Sequence, residues 1–495
     1  MLRPMVATAA VTAAVVLLAG CGGDDKKSDA KSAGGESSAP ATPSAPPVAS
    51  FDPPKGFAAV SAFGVPRNAK DNEYSLTSGM VGQTSLMAGK FGITGRNIAA
   101  QGQPWTVPPA ESETTTITAM TEPMPVQLDG KDVVAIAYVQ SVTGSGTQKA
   151  KGQVLFQWID AADGKKIAEV AADLTPLLGA GQTGDNIVSQ AYDAATGQIV
   201  VGVHPDTPTP QSGGIFSVYA DPKTQKSSLI PSFEPAGVLN GVVAGLNGGD
   251  AGGRGAATIL IADAATGKIT KQFPTKQATL YGAGHGSKRA YVSGSTVVND
   301  NYNNVLYSID IATGAVVPIK AQVVDHPIKF RCLGDEANAV VCAEGMGNSS
   351  EILGIDDTTG KKTWGYTDKA ANRLVPDVTA AFHGVIYGQT EAQPVMLDAA
   401  TGNDIPAGAP TPSESTSPSD GSTPSESSTP TEGSTPSQDP GLGATDPGSA
   451  NGSDMSLYNN KPESPTAVTK YGGVYTQAAG DSSFQTVLIA LKPTA

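Results

Sequence analysis

A short corner motif, Asp-x-x-Thr-Gly, returns along the middle of this chain and constrains what it can fold into. Full or near copies begin and end at Asp160 and Gly164, Asp193 and Gly197, Asp263 and Gly267, Asp310 and Gly314, Asp356 and Gly360, and Asp398 and Gly402. A degenerate copy, Asp221-Pro-Lys-Thr224, lacks the glycine. In such a corner the aspartate carboxylate accepts backbone N–H groups two residues on, and glycine supplies a positive φ without a Cβ clash. Because these aspartates recur wherever the chain must reverse, they read as turn residues rather than as paired acids or metal ligands. Asp193 sits at another phase. The other copies end at 164, about 224, 267, 314, 360 and 402, a mean step of about 48 residues.

The segments before the corners are strands: 154–159, 258–262 and 305–309 carry apolar groups on both alternating faces, as Val305, Tyr307 and Ile309 do on one side and Leu306 on the other. A strand wet on one side would alternate more cleanly, so these sheets are expected to be covered twice. Helical periodicity is nearly absent, with room for one turn in 171–183. A corner every 40–50 residues or so, with several short strands between, is propeller spacing. The expectation is an all-β chain, a β-propeller of seven or eight four-stranded blades. Six blades carry the motif. The end segments 51–113 and 456–495 give eight blades if they fold separately and seven if they share one. Strands at 472–477 and 486–491, paired with 57–63, would latch the ring and shield its edges.

The succession of strand, Asp-x-x-Thr-Gly and next strand resembles the repeat of pyrroloquinoline-quinone-like β-propellers over roughly 130–406. In that family a tryptophan often follows the glycine by four residues. The run from Asp356 to Trp364 matches in full, whereas Ala168, Lys271, Pro318 and Pro406 hold the equivalent places elsewhere. The resemblance implies kinship with quinoprotein dehydrogenases, an outer-membrane assembly lipoprotein and sensor domains of some actinobacterial kinases. A shared fold does not carry activity across.

The amino terminus points to export. Arg3 precedes an apolar run, 5–18, which ends in Leu18-Ala19-Gly20-Cys21, the form of a bacterial lipobox. The run is shorter than the ~20 residues a spanning helix needs. Residues 1–20 therefore read as a lipoprotein signal peptide, and the Cys21 thiol as the acceptor of a diacylglycerol, with palmitate-type acyl chains holding the protein to the outer face of the cell membrane. Residues 21–50 form a flexible lipidated linker with almost no large apolar side chain. The propeller is expected to occupy 51–409 and to close with 456–495. Between them, 410–455 is a Ser/Thr/Pro tract, expected to be disordered and to loop out of one face as a spacer or a glycosylated stalk.

Two further cysteines, Cys332 and Cys342, flank a polar cluster centred on residue 337. A hairpin folded there sets them opposite each other, within disulfide reach in an exported protein. The other reading is two buried thiols. A metal site would need further ligands at suitable spacing.

The net charge of −14 argues against nucleic acid, which demands a basic face. Charged residues at 16% and 58 glycines exclude a coiled coil. No nucleophile elbow, zinc-protease motif or calcium-binding helix–loop–helix is present. The loop 299–304 is Asn/Asp-rich and could hold calcium, but it reads as a plain turn. The four histidines, His204, His285, His326 and His383, lie far apart in sequence and read as surface or blade-edge residues. No catalytic residue, cofactor or metal ligand is assigned. The expected function is a monomeric, non-catalytic binding or scaffold module for a protein, peptide or envelope glycan. The alternative is a quinone-dependent dehydrogenase or another enzyme built on a propeller face.

Overall fold

The computed structural model describes residues 49–494 apart from 67–75, 99–103, 110–114, 148, 211, 248–256, 345–349, 371, 407–457, 460 and 479–483. The signal segment, Cys21, nearly all of the linker and the Ser/Thr/Pro tract lie outside the described residues.

Among the described residues the chain is an eight-bladed β-propeller with a single helical turn, Thr175–Leu178. In chain order the blades span 77–107, 115–173, 184–230, 234–274, 279–320, 330–367 and 377–398. The eighth combines 467–493 with the amino-terminal strand Phe57–Pro66. Inner strands of successive blades touch all round the ring, and the eighth blade meets the first. The two chain ends share a blade, yet the total is eight rather than seven. The reason is that 77–107 builds a blade with no Asp-x-x-Thr-Gly corner. Four strands per blade is the rule with two departures. The inner strand of blade two is broken into Thr115–Met120 and Met124–Leu128, and blade seven has three strands plus a bridge between Leu397 and Asp404.

The latch arises from apolar strands that need a partner. Phe57–Pro66 runs antiparallel to Phe484–Pro493, with Ala62 opposite Ile489. The core is a series of packed layers between neighbouring blades. Phe156, Trp158 and Val170 of blade two, for example, pack with Val201, Phe216 and Val218 of blade three. Each such side chain contributes about 1.5–3 kcal/mol on burial.

The corners have the expected geometry. Each glycine N–H bonds the aspartate carbonyl four residues back, at 2.9 Å for Gly164 and 2.7 Å for Gly402. The carboxylate takes N–H groups two and three residues on, as Asp398 does from Ala400 and Thr401 at 3.1 and 2.8 Å. The corner glycines have φ of 68–75°, and Gln225 takes that role, at φ 54°, in the degenerate copy. The phase of Asp193 has a simple cause: its corner joins the first and second strands of blade three, whereas the others come after the third strand of their blades.

Six of these corners are gripped by a side chain from the preceding blade. Trp105 Nε1 donates to the Ala161 carbonyl at 3.3 Å, Trp158 Nε1 to Gly197 at 2.8 Å and Trp364 Nε1 to Ala399 at 2.8 Å. All three tryptophans of the chain are used in this way. A Cβ on Gly402 would lie 2.5 Å from the Trp364 ring, so only glycine allows that approach. Elsewhere polar side chains serve. Ser228 Oγ donates to Ala264, Lys271 Nζ to Thr313, and Arg289 Nη2 to Thr358 at 3.1 Å. The sequence pattern therefore understates the docking. Lys271 stands in for an absent tryptophan, and Arg289 replaces one from a different strand.

Cys332 and Cys342 face each other across their hairpin and are disulfide-bonded, with Cα atoms 4.0 Å apart. Both are buried. Replacing both by serine is expected to cost about 2–3 kcal/mol, from the loop entropy released in the unfolded chain. Urea unfolding of the variant beside the oxidised wild type measures it.

Candidate functional site

The first-to-second-strand hairpins of the blades gather at one end of the ring axis around a cavity of about 780 Å³. A second cavity of about 730 Å³ lies along the same axis. Glu122, Gln190 and Arg331 line both and so mark the waist between them.

Each waist residue is placed by a local device. Glu122 occupies the break in the inner strand of blade two, where Pro123 offers no N–H to a ladder. Buried Thr121 holds that break, its Oγ1 accepting from Ala137 N at 2.9 Å. The Glu122 N–H donates to Gln190 Oε1 at 2.8 Å, which fixes the Gln190 amide. Arg331 lies between buried Phe330 and Cys332, so strand alternation turns it away from the packed side. Among the described residues neither the Glu122 carboxylate nor the Arg331 guanidinium has an ion-pair partner.

At the mouth stand Tyr192 of blade three, His285 of blade five, Glu336 of blade six and His383 of blade seven. The Tyr192 and His285 rings meet edge-on, 5.0 Å between centroids. His285 Nδ1 is 3.0 Å from the Gly286 carbonyl, which can only accept, so Nδ1 carries the hydrogen and Nε2 the lone pair. Burial pulls the His285 pKa down and keeps the ring neutral, against the opposing pull of that bond and of Asp357 and Asp193. Burial also pushes the Tyr192 phenol up, helped by the Glu336 and Glu122 carboxylates. The enclosing walls push the Glu336 carboxyl up as well; Asp335 and Asp52 add to this and His383 opposes it. Glu336 sits at φ 62°, an unusual value for a side-chain-bearing residue. Asp335 stabilises that corner by accepting from Ala337 and Ala339, each at 2.9 Å, and from Gly384 N at 3.0 Å. His383 Nδ1 bonds Asp52, and Phe51 N donates to the Lys470 carbonyl at 2.8 Å. The described amino-terminal end is thereby tied to the rim of the mouth.

Of the residues singled out from sequence, Cys332 and Asp193 line the mouth. Asp160, Asp263, Asp310, Asp356 and Asp398 serve their corners. The expectation that the histidines are peripheral fails for His285 and His383, which ring closure brings to the axis. It holds for His204, half-exposed beside Asp185 at 3.0 Å. The 299–304 loop is a turn running into a strand. Asn304 within it is buried and bonded to Val323, His326 and Ile328, so it cannot serve as an ion ligand.

His326 lies 3.1 Å from Ser350 Oγ and 2.8 Å from Asp325, the partners of a hydrolytic triad. The protonation logic is wrong for one. Ser350 Oγ donates to Glu344, and Glu344 also faces His326 Nε2 at 3.4 Å. Burial lowers the His326 pKa, but the bonds to Asp325 and Glu344 outweigh it and raise the value above the ordinary 6.5. The ring therefore favours its protonated form more than a free imidazole does. Its stabilisation is full below pH 6.5 and fades as pH rises through the raised value. Melting curves of His326→Gln and wild type should therefore differ most in mild acid and converge as pH rises through the raised value. The opposite trend would show a neutral imidazole. His285 has the reverse sign: its contribution is full above 6.5 and is lost as pH falls through its lowered value.

No family model matches the chain, and no curated protein matches it. Among solved structures, BamB from Moraxella catarrhalis is similar over 88% of this chain and 97% of its own, at 12% identity and a TM-score of 0.36. The Dos1 propeller is similar over 70% of this chain and 85% of its own, at 10% identity and a TM-score of 0.38. The β-propeller domain of the Trilobed protease from Pyrococcus furiosus covers 60% of this chain and 85% of its own, at 12% identity and a TM-score of 0.34. Likenesses this loose carry no argument about the site. The blades and their axial cavity define the class: an eight-bladed propeller with a polar axis.

Proposed function

We propose that this protein is an exported, lipid-anchored propeller that binds a protein, peptide or cell-envelope glycan at its axial cavity without transforming it. One observation carries the binding reading. The axis gathers charged groups of both signs from several blades, and Glu122 and Arg331 at its waist are left without a partner in the described chain. Both side chains are exposed to the cavity, where a ligand carrying the complementary charges can reach them. The anchoring reading rests on the lipobox ending at Cys21. The linker would give the propeller a reach of roughly 30 Å from the membrane. Because Asp52 lines the mouth, the tether would join the body at the rim of the binding cavity.

Full-length protein with Cys21→Ser should leave the membrane fraction and lose palmitate labelling. Fractionation like wild type would end the anchoring reading. Solubilised wild-type protein should capture a defined partner from envelope extract. Capture of nothing, together with turnover of a substrate, would replace binding by catalysis.

A further inference from the structure

The waist holds opposite charges on opposite walls. Glu122 belongs to blade two and Arg331 to blade six, four blades apart in a ring of eight, so they face each other across the axis. They form no ion pair with each other or with any other described side chain. Both side chains are exposed within the cavity, and each rises from an inner strand whose backbone its neighbours lock in place. Thr121 and Pro123 flank the first; the Cys332–Cys342 bridge adjoins the second. Between them Gln190 is oriented by the Glu122 N–H on its Oε1, which leaves its NH₂ group as a donor within the same space. Asn186, Thr379 and the carboxylates of Glu344 and Asp377 line the chamber on the far side of the waist, and Tyr192 and His285 the mouth.

We infer that the waist is a receptor for a zwitterion of the amino-acid or short-peptide class, with the ligand ammonium on Glu122, its carboxylate on Arg331 and an amide carbonyl on Gln190. This rests on the reading of the axial cavity as the binding site and names its ligand chemistry. A simple anion would leave Glu122 repelling it, and a simple cation would meet Arg331. A molecule with both charges, spaced to span the axis, complements both Glu122 and Arg331. Charge-assisted hydrogen bonds are about twice as strong as neutral ones. The guanidinium fork also suits a carboxylate in two-point contact.

The test uses solubilised full-length protein and calorimetry with di-, tri-, tetra- and pentaglycine. Successive members lengthen by about 3.3–3.6 Å, so the series also measures the span. At least one member should bind saturably. Acetylating its amine or amidating its carboxylate should each weaken binding by about tenfold or more. In Glu122→Gln the acetylation penalty should vanish while the amidation penalty persists. In Arg331→Gln the two should exchange. Both side chains project into the cavity, so unchanged melting temperatures report intact folding. Failure of every oligoglycine to bind wild type, or penalties that survive both substitutions, overturns the inference. If wild type and both variants still capture the same envelope partner in that case, the zwitterion assignment fails and the binding reading stands. If capture fails too, both fall.

Discussion

Ala62→Asp should open the ring. Ala62 is fully buried in the latch strand, opposite Ile489 and packed with Tyr475, Val487 and Leu491. A carboxylate there has no cation to meet and no water to solvate it, a loss of roughly 3–5 kcal/mol for an uncompensated buried charge. The closing blade then gives up Phe57–Pro66, and Phe484–Pro493 is left with a bare edge. An unpaired edge of such apolar residues recruits other chains. Three readouts should change together: a lower melting temperature, rapid proteolysis within 49–66, and light-scattering mass above that of the monomer. Ala62→Gly removes one methyl and serves as the control, within about 1 kcal/mol of wild type. An Ala62→Asp protein that melts with wild type and stays monomeric would mean that the ring is closed by something other than this strand.

The latch is readable from sequence because it depends on local patterns at two ends: apolar strands at 57–63 and 486–491, each in need of a partner. The corners are readable for the same reason. An aspartate that accepts N–H groups two and three residues on, with a glycine at positive φ behind it, is a contract within five residues, and it repeats. Blade one escapes because its strands connect without that corner. No Asp-x-x-Thr-Gly run occurs within 77–107, so no motif marks the blade. The clamps are half-visible. Trp364 falls at the expected spacing, but Trp158 and Arg289 reach their corners from other strands, and Lys271 does a tryptophan's task with a different side chain. The waist is not visible at all. Glu122 and Arg331 are far apart along the chain, and nothing local marks them. They become neighbours across an axis only once blades two and six stand opposite each other. His285 reads as peripheral on the same ground, since its distance from the axis is fixed by ring closure and not by its own segment.

Trp158→Ala should be the most damaging single truncation among the corner clamps. Trp158 is fully buried, stacks with Phe156 at 6.2 Å between centroids, and donates to the Gly197 carbonyl at 2.8 Å. Emptying that volume costs about 3–5 kcal/mol. Trp158→Phe separates the two parts of the loss. It keeps most of the packing and orphans the Gly197 carbonyl, for about 1–3 kcal/mol. Trp364→Ala should fall below Trp158→Ala, because Trp364 is only half-buried although it makes the same bond. Lys271→Met, at an exposed corner, should stay within about 0.5 kcal/mol of wild type. The Gly197 corner differs from the rest in one functional respect. Its Asp193 lines the mouth and accepts from Asn240 N of blade four at 2.9 Å, so this corner links packing between blades two and three to the wall of the cavity. Trp158→Ala should therefore weaken partner capture even at temperatures where the protein remains folded, whereas Trp364→Ala should not. Denaturant unfolding and capture at 15 °C or so, well below the expected melting transition of a mesophilic domain, read the two effects separately. Equal stability losses for the two tryptophans would assign the energy to the shared hydrogen bond rather than to buried volume. Unimpaired capture by Trp158→Ala would detach the mouth from the layer beneath it.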